Sequence, residues 1–551
     1  MGTARSRAPA GPPRTAAPRR QARRPLPPVL RDWRAGAGLL ALIVAVVLAV
    51  VLLGGGSDGG GPAADRAAQL APADALAWVH LSTDGDREAV QQALTLAGRA
   101  GLDSTLGELA GGLLGSGGGQ PVDFARDVRP WLGDEAALAF TQSGRGTAGS
   151  LLLLAVADED GARRFLSRTA GPARRGSYRG HTVSSYGNGT VAAFADGFLL
   201  VGQQATVRGA LDRVEGVRGA RTLADDPAYR RATAGQPADR ALDAYATVAG
   251  VRLLLAPRSG PLGLLGALLD QPSLRAVALT VSAAGTSMRV RIRSDLDPSS
   301  RVRPATFAPT LMKALPRATI GYLGFPGLAK AAPLLLSLGG VGGGSATETL
   351  RLVQAAERTL RAQGVDFGRD LLPLLGGEVA VAIVPVGRTP SLVLLAKVRD
   401  EAAGAAGLRR LEPALARLFA TADGAAPAFA DAPVGGIAAR RLDAGGGVEL
   451  DYALADGMLA LSTGAAPLAA VLRPQGSIDE NPDYKAVIPD SQSELTSIVF
   501  FDFSQLLTFF EPLGLTADSG LGADLQRVRA VGLTSTGEKA QSTAELTFEI
   551  P

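Results

Sequence analysis

Val122–Ala139 reads V-D-F-A-R-D-V-R-P-W-L-G-D-E-A-A-L-A, and Val365–Ala382 reads V-D-F-G-R-D-L-L-P-L-L-G-G-E-V-A-V-A. Eleven of the eighteen positions are identical, at a constant offset of 243 residues. Matches this dense and this far apart in one chain mark a duplication. The period is too long for a solenoid repeat and suits whole domains. The duplication also supplies an internal comparison. A residue needed for chemistry in both halves should stand in both copies.

Further matches follow in the same order. Leu70–Thr83 (L-A-P-A-D-A-L-A-W-V-H-L-S-T) corresponds to Leu315–Phe325 (L-P-R-A-T-I-G-Y-L-G-F). Ser150–Val156 corresponds to Ser391–Val398, Ala195–Val201 to Ala455–Leu461, and Thr222–Tyr229 to Ser477–Tyr484. In each half, apolar runs of strand length alternate with single helical stretches. Asp196-Gly197 is a favoured tight-turn pair and predicts a hairpin. Strands arriving as hairpins between single helices predict an α+β fold with mainly antiparallel sheets.

Outside the duplication the chain changes character. Residues 1–34 hold nine Arg against one acid, Asp32, so the chain's formal charge of +4 belongs to this tail. The remainder is slightly acidic and offers no general attraction for nucleic acid. The tail is too charged and Pro-rich to pack a core and is expected to be disordered and cytoplasmic. Residues 35–57 carry no charge, and Leu39–Leu53 is apolar throughout. At 1.5 Å per residue that span reaches roughly 34 Å, enough to cross a hydrocarbon core of about 30 Å. It predicts one membrane-spanning helix, with the Arg-rich flank inside and the rest of the chain outside the cytoplasmic membrane. The rival reading is a cleaved signal segment, although no A-x-A site follows the run. A Gly-rich linker (58–66) then leads to repeat domain one (67–297). A second linker (298–313) and repeat domain two (314–551) complete the layout.

Few residues invite chemistry. There is no Cys and there are two His. His80 lies in a predicted strand and matches no His in the second copy; His181 stands alone before a hairpin. This composition argues against transition-metal sites, disulfides and thiol chemistry. No cofactor and no catalytic set is expected. The acidic run Asp158-Glu159-Asp160 reads as a helix N-terminus, as does Arg399-Asp400-Glu401 in the second copy. The Gly-rich stretches 111–119 and 339–344 lack the Lys that phosphate loops require and read as flexible loops. The polar residues repeated in both copies are Arg126, Asp127 and Glu135, and Arg369, Asp370 and Glu378. They fit either a ligand-facing charged cluster or an ion pair fixing a helix-to-strand corner, and the structural role is favoured. Asp123 and Asp366 suit helix N-caps. Gly133 and Gly376 suit a helix end that needs left-handed backbone.

The whole layout resembles a bacterial family known as domain of unknown function 3352. The resemblance rests on the apolar N-terminal span, the Leu70-Ala-Pro-Ala-Asp-Ala strand lead, the Phe124–Glu135 motif and the A-D-G-x-L hairpin at Ala195. It covers nearly all of the chain after Leu39 and implies a membrane-anchored protein with no catalytic residues to transfer. The expectation is a non-enzymatic, membrane-anchored binding or scaffold protein of the bacterial cell envelope. Its partners would be the membrane and a lipid, a cell-wall component or another envelope protein. The alternative is an envelope hydrolase that works with carboxylates alone.

Overall fold

The structure is a computed structural model. It describes residues 65–551 apart from 100–123, 144–146, 188, 255–272, 300–304, 328–360, 363–364, 367–369, 371, 388, 418, 421–424, 490–493, 511–526 and 539. The apolar span at 35–57, both Gly-rich stretches, Asp123 and Arg369 lie outside the described residues. Among the described residues no helix is long and apolar enough to cross a membrane.

The strands pair antiparallel throughout. From the outer edge of the first half the order is β4 (Ala173–Tyr178), β5 (His181–Tyr186), β6 (Val191–Ala195), β7 (Phe198–Gly202) and β3 (Thr147–Val156). It continues through β2 (Leu132–Ser143), β1 (Ala77–Ser82), β8 (Arg240–Thr247), β9 (Leu274–Ala284) and β10 (Ser287–Leu296). The second half contains β11 (Gly321–Phe325), β12 (Val379–Val386), β13 (Thr389–Lys397), β14 (Phe429–Asp431) and β15 (Ala439–Asp443). It ends with β16 (Glu449–Ala455), β17 (Met458–Ser462), β18 (Ser497–Asp502), β19 (Ala530–Gly537) and β20 (Gln541–Glu549). Their order is β14-β15-β16-β17-β13-β12-β11-β18-β19-β20, the first pattern with every strand number raised by ten.

The two halves share one sheet. β10 pairs with β20 from Ser287↔Glu549 to Asp295↔Gln541, and Arg291↔Glu545 is the middle pair. Because β10 and β20 are corresponding strands, this seam relates the halves by an approximate two-fold. Its other face is covered by the helix Glu88–Arg99. Val90, Ala93 and Leu96 of that helix pack with Met288 of the first half and with Phe548 and Ile550 of the second.

Local sequence explains the elements. Asp196-Gly197 and Asp456-Gly457 have φ of 51° and 75°, and 52° and 72°, the left-handed pair that tight hairpins need. Asp226 accepts hydrogen bonds from the amides of Ala228 and Tyr229, and Asn481 from those of Asp483 and Tyr484. Each therefore caps a helix that opens on Pro, Pro227–Thr233 and Pro482–Val487. Ser150–Val156 is apolar on successive residues because both faces of β3 are covered. Leu151 and Leu153 join one core cluster; Leu152 and Leu154 join the other.

Two sequence expectations change. Gly133 and Gly376 do not have left-handed backbone; Gly133 lies within β2. A Cβ on Gly133 would stand 3.0 Å from the Ala155 Cβ, so glycine serves a close strand approach. Residues near the ends of the predicted linkers are structural: Arg66 precedes the 3-10 turn Ala67–Gln69, and Leu311–Ala314 is the corresponding turn. Asp295, near the end of the predicted first domain, is a buried residue of β10.

Candidate functional site

The repeated glutamates occupy equivalent corners. Glu135 is fully buried and accepts hydrogen bonds from the backbone N–H groups of Arg66 and Ala67, both at 3.2 Å. Glu378 is buried and accepts from Thr310 N at 2.7 Å and Leu311 N at 2.9 Å. Each carboxylate thus satisfies the unpaired amides that start a 3-10 turn. Sequence spacing gave no sign of these partners, which lie 67 to 69 residues upstream.

The rest of the motif turns elsewhere. The Arg126 guanidinium pairs with the adjacent Asp127 at 2.8 Å and is mostly exposed. Glu135 has Arg66 as its ion-pair partner, with Nε 3.0 Å away. Asp127 lies 3.9 Å from Arg168, in the helix Glu159–Thr169. The corresponding Asp370 lies 2.9 Å from Arg410, in the helix Glu401–Arg417. The repeated aspartates therefore face corresponding helices. Asp366 donates its backbone N–H to the Asp370 carboxylate. The acidic runs stand at helix starts, where Asp158 accepts from Gly161 N and Asp400 from Ala403 N.

The first corner holds a charge cluster that the second does not. His80 is fully buried, with Nδ1 3.0 Å from Asp243 and Nε2 3.3 Å from Glu135. The Arg240 Nε lies 2.8 Å from the same Asp243 oxygen. Burial opposes charge on the imidazole, but Asp243, then Glu135 and Asp65, outweigh it and raise the pKa from 6.5 to about 10. Burial likewise opposes the carboxylates, yet His80 holds Glu135 and Asp243 below their ordinary range. An imidazolium with both nitrogens facing carboxylates has no lone pair to offer as a base. In the second half, strand register puts Gly324 and Ile498 in place of His80 and Asp243. His181, half-buried, meets only the surface carboxylate of Glu215 at 2.9 Å. Among the described residues no three His, Asp or Glu side chains are grouped to hold a metal ion.

A cavity of about 280 Å³ opens at the seam. Its floor is two neighbouring cross-strand rungs. One is Thr280–Arg291–Glu545–Thr534 and the other Ala278–Arg293–Thr543–Thr536. Same-face rungs along a strand stand roughly 7 Å apart. Ala232 and residues 234–237 supply one wall, including Gln236. Glu545 accepts hydrogen bonds from Arg291 Nε and Nη2 at 3.0 and 2.8 Å and lies 3.0 Å from Arg289 Nε. Arg293 donates to the carbonyl of Ala234 and, at 2.9 Å, to the Gln541 side chain. Neither half could form this cavity alone.

The model of the family described as "Protein of unknown function (DUF3352)" matches residues 35–550. The chain belongs to this family. No curated protein matches it. Solved structures of TP0453 are similar to part of this DUF3352 protein. Crystal form III has 13% identity over 44% of this chain and 82% of that one, with a TM-score of 0.27. Form I has 12% identity over the same shares, with a TM-score of 0.26. Scores that low carry no inference to this chain.

Proposed function

We propose that this DUF3352 protein is a non-enzymatic binding protein of the cell envelope. Residues 35–57 anchor it in the cytoplasmic membrane with its N-terminus inside, and its two repeats hold a small polar ligand on the outer side. The observation that carries the reading is the seam cavity, whose floor takes two strands from each half. Its threonines, arginines and glutamine favour a polar wall component over a lipid chain, because an apolar chain would strand those groups without partners. The anchor is supported by the length and apolarity of residues 39–53 and by the nine arginines before them.

The test uses the full-length protein in detergent, sedimented with insoluble cell-wall glycan or with phosphatidylglycerol vesicles. The protein should pellet with the glycan, and the double variant Thr536→Val, Thr543→Val should remain in the supernatant. Equal pelleting of the variant would remove the seam cavity from the function. Release of reducing sugar during incubation would instead favour the carboxylate-dependent hydrolase. A reporter active only outside the cytoplasm, fused after Pro551, should be active; a silent one would reject the orientation.

A further inference from the structure

The seam cavity's bonding groups are unevenly used. Arg289 and Arg291 both pair with Glu545, the one carboxylate among the lining residues. Arg293 bonds only neutral oxygens, so its charge is unbalanced. Its guanidinium lies against Gly235, where an added Cβ would come within 3.6 Å of Nη1. The neighbouring Gln236 has its side-chain N–H₂ buried without an acceptor. Among the described residues, no protein group engages the hydroxyls of Thr280, Thr534, Thr536 and Thr543. The wall therefore combines a cation without a carboxylate partner, Arg293, one unspent amide donor and four hydroxyls that can donate or accept.

We propose that the cavity takes an anionic, hydroxyl-bearing ligand of about one sugar unit, an acidic sugar or a sugar phosphate. This inference rests on the binding role proposed above and names its ligand class. The acid group lies against Arg293 and Gln236, where charge-assisted hydrogen bonds form. The ring hydroxyls lie over the threonines of the same and the neighbouring rung. A volume of about 280 Å³ accommodates one such unit and leaves a longer chain outside.

Full-length protein in detergent is titrated with glucuronate, glucose 6-phosphate, glucose and inorganic phosphate, read by calorimetry. One of the acidic sugars is expected to bind at least about tenfold tighter than glucose, a difference of about 1.4 kcal/mol. Arg293→Gln should erase that preference. Thr536→Val, with its thermal midpoint checked against the parent, should weaken the acidic sugar while Arg293 is intact. Glucose binding as tightly as glucuronate and glucose 6-phosphate would overturn the anionic assignment and leave the binding role standing. Inorganic phosphate matching glucose 6-phosphate, with glucuronate silent, would overturn the sugar assignment. Failure of all four probes on folded protein would sink this inference alone, since wall sedimentation judges the binding role separately.

Discussion

The two glutamate corners share a backbone task and differ in everything behind it. In the second, Glu378 meets two amides and the Thr310 hydroxyl, and Lys397 donates to that hydroxyl at 2.9 Å. Behind it Gly324 leaves no room: an added Cβ would come within 2.8 Å of Ile498 Cγ2. In the first, Glu135 meets two amides and also Arg66 and His80, with Asp243 and Arg240 beyond. Duplication kept the carboxylate because any helical turn starting there has unpaired amides. It was free to vary the layer behind, where an ion cluster and an apolar filling both fit between three strands. The charged version stands where the chain emerges from the proposed membrane tether.

The largest expected effect separates these corners directly. Glu135→Ala would leave the His80 imidazolium buried against one carboxylate fewer, and breaking a buried pair costs about 3–5 kcal/mol. Both substitutions also remove amide hydrogen bonds to a charged acceptor, worth about 1.5–3 kcal/mol each, but Glu378→Ala strands no buried charge. Denaturant unfolding of the full chain should show the greater loss for Glu135→Ala. Amide exchange should accelerate locally, at Ala67 in one variant and Leu311 in the other. If both substitutions leave the unfolding midpoint unchanged, the glutamates are not structural, and they become first candidates for ligand contact.

The next effect sharpens the comparison through pH. The folded His80 pKa is about 10 against 6.5 for the free side chain. A raised folded pKa means that its stabilising share is fully present below the unfolded value. It declines as pH climbs above about 6.5 and is lost as pH passes about 10. Glu135 and Asp243 have depressed values, so their share is present above the ordinary carboxylate range and lost in acid. Unfolding midpoints of the parent and of His80→Gln, followed from about pH 7 to about pH 10, should converge as pH rises. Parallel curves would show that His80 is neutral in the fold.

The transplant His80→Gly with Asp243→Ile gives the first corner the two strand residues of the second and leaves Arg240 bonded to the Pro237 carbonyl. Replacing a buried ion set by apolar residues is often neutral or better, whereas removing one member is costly. The double variant should therefore cost less than the two single changes added together. A sum equal to the double would mean that the two side chains do not act as a unit.

How much of this was legible in sequence follows from how local each signal was. The Asp-Gly hairpins, the capped Pro-started helices and the strand repeat depend on neighbours a few residues apart, and the chain states them twice. The corners depend on carboxylates meeting amides 67 to 69 residues away, which no local pattern encodes. His80 looked unimportant because it lacked a repeat partner, yet its setting comes from Asp243 on a strand 163 residues later. The seam was hidden for another reason. Arg289, Arg291 and Arg293 alternate along β10 as an exposed strand face would, and nothing in that pattern reveals β20 beside it.

The smallest expected effect concerns the repeated aspartates. Asp127 and Arg168 stand 3.9 Å apart, with the arginine 65% exposed. Asp370 and Arg410 stand 2.9 Å apart, with the aspartate 1% and the arginine 49% exposed. Both pairs are screened on the arginine side, which holds such contacts to about 0.2–1 kcal/mol. The shorter pair, around the more buried aspartate, should lie at the upper end. Removing the arginine in each case, Arg410→Ala and Arg168→Ala, tests this with little cavity cost because both guanidiniums reach solvent. Arg410→Ala should lower stability more, and its deficit should shrink in high salt, where exposed charges are screened. Arg168→Ala should fall close to the parent, because Asp127 keeps Arg126 at 2.8 Å. A larger loss from Arg168→Ala would mean that the helix Glu159–Thr169 depends on this contact more than its geometry allows. The two corners would then differ in their outer ion pairs as much as in their buried clusters.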